Sequence, residues 1–175
     1  CPWVQTVPFM VQASLPEEKK NKLLTPTLNF RYGDRVVEKE LYDYFGKKFG
    51  IGRKQIAAAM KKAGLKQTTF EQRVKQRGRE VLENLPEDKE SVVVLGRPYN
   101  TGDPALNLSM VEKLINLDVI PIPTDFLPVE EENILRDYDK MYWPNGQRIL
   151  AATRIIARDD RLHGIYMGNF RCGPD

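Results

Sequence analysis

Residues 91–127 read SVVVLGRPYNTGDPALNLSMVEKLINLDVIPIPTDFL, and this stretch decides the fold. Val92, Val93, Val94 and Leu95 make an unbroken β-branched and aliphatic run closed by Gly96, the pattern of a strand buried on both faces. A polar loop follows over 97–103. Residues 104–117 then place Met110, Val111, Leu114, Ile115 and Leu117 on a helical stripe, and 119–122 is a second short apolar run. The order is strand, loop, helix, strand. Such crossovers are right-handed and join parallel neighbours, so the loop 97–103 and the segment 124–127 are expected to leave one edge of the sheet. In open α/β sheets that edge binds ligands.

Downstream, the acidic stretch 130–142 reads as helical, Trp143 and Pro144 punctuate it, and 145–157 continues as a helix with Ile149, Ala152, Thr153 and Ile156 inward. Residues 162–167 supply a third apolar strand ending at Gly168. If it runs parallel to the other two, its exit loop 169–175 brings Cys172 to the sheet edge that carries Arg97 and Asp125. His163, the single histidine, stands at the start of this strand on the opposite edge, a placement that favours a structural role.

Upstream, three helices are expected. Asp34 caps one over 34–49, Gly64 ends a second over 53–63, and Pro86 stops a third over 68–85. Residues 16–33, with Pro16, Pro26 and Gly33, form a connector. At the front, Thr6 caps a short helix with Pro8 in its first turn and Phe9, Met10 and Ala13 inward. The expected fold class is α/β: a three-layer, Rossmann-like, mostly parallel sheet with a helical insertion. An N-terminal segment, 1–33, joins the α/β domain of 87–175, and a helical module occupies 34–86.

The chain has 175 residues, enough for one ordinary core, and 27 Lys+Arg against 24 Asp+Glu leave a net charge of only +3. That balance argues for no particular partner. The basic residues of the helical module, such as Lys61, Lys62, Arg73 and Arg77, alternate with no aromatic platforms for stacked bases, so they read as solvated helix faces and no nucleic-acid partner is expected. No apolar run approaches the roughly 20 residues of a membrane span, and no signal sequence opens the chain, so no membrane partner and a cytoplasmic location are expected. The chain begins at Cys1 rather than at methionine, which reads as a piece of a longer polypeptide.

The loops carry the chemistry. Arg97, Tyr99 and Asn100 lie in a tight Gly/Pro-flanked loop, where Arg97 can fork onto a phosphate or carboxylate and Tyr99 can stack or donate; Arg97 paired to Asp125 or Asp175 is the structural alternative. There is no GxGxxG and no P-loop pattern, and no Ser-His-Asp or Cys-His set can be assembled. Cys1 precedes a helix start, where a thiolate ligand or nucleophile would be favoured, or else it is a buried structural cysteine. Cys1 and Cys172 have no metal-finger spacing.

Three stretches carry a resemblance: CPWVQTVPFM (1–10), VVVLGRPYNTGDPALN (92–107) and YMGNFRCGPD (166–175). In that order, with helices between the first two, they resemble the C-terminal half of the large CoA-substrate-specific enzyme activases, relatives of the activators of 2-hydroxyacyl-CoA dehydratases and benzoyl-CoA reductases. The GRPY loop with its DP-initiated helix and the NFxCGPD ending are the most specific parts. The resemblance implies ATPase domains in the same parent protein, coupling ATP hydrolysis to electron transfer through an iron–sulfur cluster toward an acyl-CoA dehydratase or reductase. It implies Cys1 and Cys172 as cluster ligands and a non-catalytic role for this part, which lacks the ATPase motifs. Clusters are most often held by four cysteines, so the remaining ligands would come from elsewhere. A cofactor-free docking module is the other reading.

Overall fold

The computed structural model describes residues 2–168. The chain forms two compact units that divide between Gln67 and Thr68, inside one long helix.

The first unit is helical. Helix α1 spans Pro2–Ser14 with Pro8 inside it, so it starts well before Thr6; a proline removes one N–H, and here the ladder continues past it. Phe9 and Met10, expected to point inward, are 71% and 55% exposed. Helix α2, Glu17–Lys20, and a 3-10 turn, Phe30–Tyr32, interrupt the expected connector. Helix α3, Asp34–Leu41, passes without a break through a π-helical segment, Tyr42–Gly46, into α4, Lys47–Phe49. Gly33 rather than Asp34 takes the cap position, and its carbonyl accepts from the N–H groups of Val36 and Val37. Gly50, at φ 67°, closes the run in the left-handed conformation that glycine tolerates.

Helix α5 runs unbroken over Arg53–Glu83, 31 residues, where two helices separated at Gly64 were expected. A lone glycine costs a helix only about 1 kcal/mol, and no proline lies between 53 and 83 to add a clash.

In the second unit, β1 (Ser91–Gly96) stands at the centre of a three-stranded sheet. A short helix α6, Pro98–Gly102, follows it, then α7, Met110–Asn116, β2, Ile120–Pro123, α8, Pro144–Ile156, and β3, Leu162–Met167. The strand order is β2-β1-β3, and both pairings are parallel: Val93 lies opposite Ile122 on one side and Gly164 on the other. Val93 and Leu95 face Ala151 and Ala152 of α8 and Leu85 beyond α5 in one buried cluster, while Val94, on the opposite pleat, lines a cavity with Val111 of α7. Helices therefore flank both faces, the Rossmann-like α/β arrangement expected.

Two expectations fail here for local reasons. The helix expected from residue 104 begins only at Met110, because Leu108 and Ser109 adopt positive φ (53° and 54°) and the Asn107 side chain accepts from the Met110 N–H. The stretch 130–142 is not one helix but two 3-10 turns, Val129–Glu131 and Ile134–Arg136, with the Asn133 side chain accepting from the Arg136 N–H. Helix α8 begins one residue earlier than read, taking Pro144 into its first turn, and Ala151 rather than exposed Thr153 is buried beside Ala152.

The Ile120 N–H donates to the Glu90 carbonyl, so Ile120 and Ile122 turn their main-chain groups toward β1. Pro121 and Pro123 then occupy the outward positions of β2.

The turn into β3 is held by Asp159, whose carboxylate accepts from the Arg161 backbone N–H (3.1 Å), Nε (2.9 Å) and Nη2 (2.7 Å). Arg161 also reaches the Leu82 carbonyl of α5 at 3.3 Å. Hydrogen bonds from Arg161 hold the Asp159 carboxyl below its ordinary value. A depressed carboxylate stabilises the fold above its unfolded value and loses that contribution as pH falls through its folded value. Asp159→Asn is therefore expected to cost about 0.5–1 kcal/mol at neutral pH, as a partly exposed pair does, and almost nothing in strong acid, where both proteins carry a neutral side chain. Urea denaturation at the two pH values checks this.

Candidate functional site

Because the strands are parallel, Gly96, Pro123 and Met167 end on one rim. Gly96 has φ 151°, and a Cβ built on it would stand 2.6 Å from the Met167 carbonyl oxygen and 3.0 Å from Thr101 Cγ2. Only glycine lets β1 leave the sheet this close to β3. Order β2-β1-β3 also makes the gap between β1 and β3 the point where successive connections diverge, the crevice where such sheets hold ligands.

Arg97 is extended and Pro98 starts α6, fixing a tight turn in which the Arg97 carbonyl accepts from the N–H groups of Asn100 (2.8 Å) and Thr101 (3.0 Å). Nη1 of Arg97 donates to the Tyr99 hydroxyl at 3.2 Å, and the guanidinium carbon lies 5.9 Å from the ring centroid. Tyr99 is half-exposed, and Asn100 is buried. After α6, Asp103 Oδ1 accepts from the N–H groups of Ala105 and Leu106, and buried Asn107 donates to the Thr101 carbonyl at 2.9 Å. Across the rim, the Thr124 hydroxyl donates to the Val94 carbonyl at 2.8 Å and fixes the exit of β2.

Arg97, Tyr99 and Asn100 thus come together in one turn. Asp125 leaves the same rim but pairs with Arg148, whose Nη2 lies 2.5 Å from Oδ1 and whose Nη1 lies 3.6 Å from Glu130. The expected alternative of Arg97 paired to Asp125 gives way to Arg148, which the first turns of α8 deliver to the rim. Arg148 was not legible as a site residue, since only the folded path of α8 brings it to Asp125. Between α6, α7 and β2 lies a cavity of about 400 Å³, walled by Val94, Pro98, Val111 and Ile122 with Thr101 and Asp125 at its polar margin. Its size is that of a small-molecule site.

Cys1, Cys172 and Asp175 lie outside the described residues. Among the described residues no three His, Cys, Asp or Glu side chains are grouped to hold a metal ion. These residues do not by themselves fit an iron–sulfur cluster, which commonly takes four protein ligands. His163 sits at the far rim, with Nε2 2.6 Å from Glu90 Oε2 and its side chain over half exposed.

The fold and rim define an open parallel α/β domain with a strand-end crevice. Residues 1–127 match the family described as CoA enzyme activase uncharacterised domain, and the chain belongs to that family. A search of curated proteins and a search of solved structures returned no match. Among the described residues no helix is long and apolar enough to cross a membrane.

Proposed function

We propose that this chain is a non-catalytic module of a cytoplasmic CoA enzyme activase that faces an iron–sulfur cluster in ATP-driven electron transfer to an acyl-CoA dehydratase or reductase. Cys1 and Cys172 supply two thiolates, and residues elsewhere in the parent protein or in its partner complete the ligand set. The reading is supported by the family membership and, in the fold, by one observation above all: β3 runs parallel to β1 and ends against Gly96. β3 therefore ends on the same rim as the turn of Arg97, Tyr99 and Asn100, and Cys172 stands five positions after Met167 in the sequence. Arg97 and the Asp125–Arg148 pair give that rim charges of both signs suited to an anionic centre or a docked partner.

The second reading is a cofactor-free docking module joining the ATPase part to its partner enzyme. It is favoured by the exposed Phe9, Phe30 and Tyr32 of the helical unit, at 71%, 73% and 69%.

Iron and sulfide analysis after anaerobic reconstitution of the parent protein separates the two. Cys1→Ser, Cys172→Ser is expected to abolish iron and sulfide retention and the accompanying visible absorption. Full retention in this double variant removes the cluster role, and unchanged partner binding and activity would establish docking instead.

A further inference from the structure

The helical unit carries a cationic pocket of its own. Arg35, Glu38, Lys39 and Tyr42 follow at i, i+3, i+4 and i+7, so α3 and the start of its π-helical segment carry them on one face. Gly50 reverses the chain and brings Arg53, the first residue of α5, back over that face. These five side chains line a cavity of about 270 Å³.

The tyrosine at its wall is clamped. A Cβ on buried Gly46 would stand 2.6 Å from Tyr42 Cδ2, so the ring sits directly on the glycine backbone. The Arg53 guanidinium carbon lies over the same ring, 4.6 Å from its centroid. The stack orients the guanidinium while its N–H groups remain available for an anion. π-Helical turns of this kind are uncommon and concentrate at functional sites.

The charge balance points the same way. In the other unit several cations meet carboxylates, among them Lys75 with Glu130, Arg148 with Asp125, Arg154 with Asp137, Arg158 with Glu132 and Arg161 with Asp159. Among the described residues Arg35, Lys39 and Arg53 form no ion pair, and the pocket they share contains one carboxylate, Glu38. The lining itself thus carries three cations and one carboxylate, a balance that a dianion would neutralise; Glu40, which acts on Lys39, is engaged by Asn29 and does not line the pocket. A phosphate monoester carries close to two negative charges and three acceptor oxygens, matching two guanidinium forks and one ammonium.

We propose that this pocket binds the phosphoryl group of a small-molecule ligand, with Arg35 and Arg53 forking onto its oxygens, Lys39 as the compact charge and Tyr42 as a hydroxyl donor. The test is a titration of the full chain, followed by Arg side-chain and backbone amide shifts in NMR, with inorganic phosphate, phenyl phosphate and sodium chloride at matched ionic strength. Saturable shifts at Arg53 and along 35–42 with a phosphate, absent with chloride, are expected. Stronger binding of phenyl phosphate than of inorganic phosphate identifies an ester-linked ligand, and the reverse identifies the free ion. Arg53→Gln and Lys39→Gln should each weaken binding at least tenfold, and Glu38→Gln should tighten it. Lys39 is exposed, so its variant tests the site even if Arg53→Gln fails to fold. Shifts that chloride reproduces, no saturation with either phosphate, or unchanged affinity in Lys39→Gln would overturn the proposal.

Discussion

Gly78→Ala is expected to destabilise the α/β unit by about 1–3 kcal/mol, the cost of forcing atoms into a packed contact. Ordinarily the same change stabilises a helix by about 1 kcal/mol. The sign reverses here because a Cβ on buried Gly78 would stand 2.3 Å from the Phe126 carbonyl oxygen and 2.7 Å from Phe126 Cα. Those are backbone atoms of the turn that follows β2, and no rotamer change relieves the overlap. Gly64 supplies the control. It belongs to the same helix with nothing within 4 Å of its would-be Cβ, so Gly64→Ala should raise stability by about 0.5–1 kcal/mol. Denaturant titrations of both variants, followed by circular dichroism, read the two signs directly. Equal effects in the two variants would mean that α5 does not press on the Phe126 turn.

Gly96→Ala carries the second large effect, and it falls on the rim itself. Alanine at φ 151° pays backbone strain of about 1–3 kcal/mol, and its Cβ overlaps the Met167 carbonyl oxygen at 2.6 Å. Together these should cost at least about 2 kcal/mol and separate the ends of β1 and β3. Hydrogen exchange reports the separation: amides in the last residues of β3 should lose protection while those near Ser91, at the other end of the ladder, keep most of theirs. Uniform loss along the strand would mean general unfolding rather than an opened crevice.

The sheet was legible because its signal is local and strong. Val92 to Leu95 tolerate only a position covered on both faces, and the spacing of the two later apolar runs leaves parallel crossovers as the simple connection. The helix boundaries were less legible. Gly64 resembles a stop and is merely a weak position, whereas Leu108 and Ser109, unremarkable as letters, break the chain through positive φ. The acidic stretch after Pro128 has helical composition, but Val129 and Ile134 are drawn into the core at a spacing that two tight turns meet and one helix does not. At the site, the company of Arg97 and Tyr99 follows from adjacency. The partner of Asp125 does not, because Arg148 stands 23 positions away and reaches it only through the folded path.

The prolines of β2 also bear on how the molecule behaves in concentrated solution. An exposed parallel strand is ordinarily a template on which foreign strands grow, and each graft requires a row of amide hydrogens. At Pro121 and Pro123 those hydrogens do not exist. Fibre-like stacking is therefore shut off along that margin by covalent chemistry alone, without help from charge or from a covering loop.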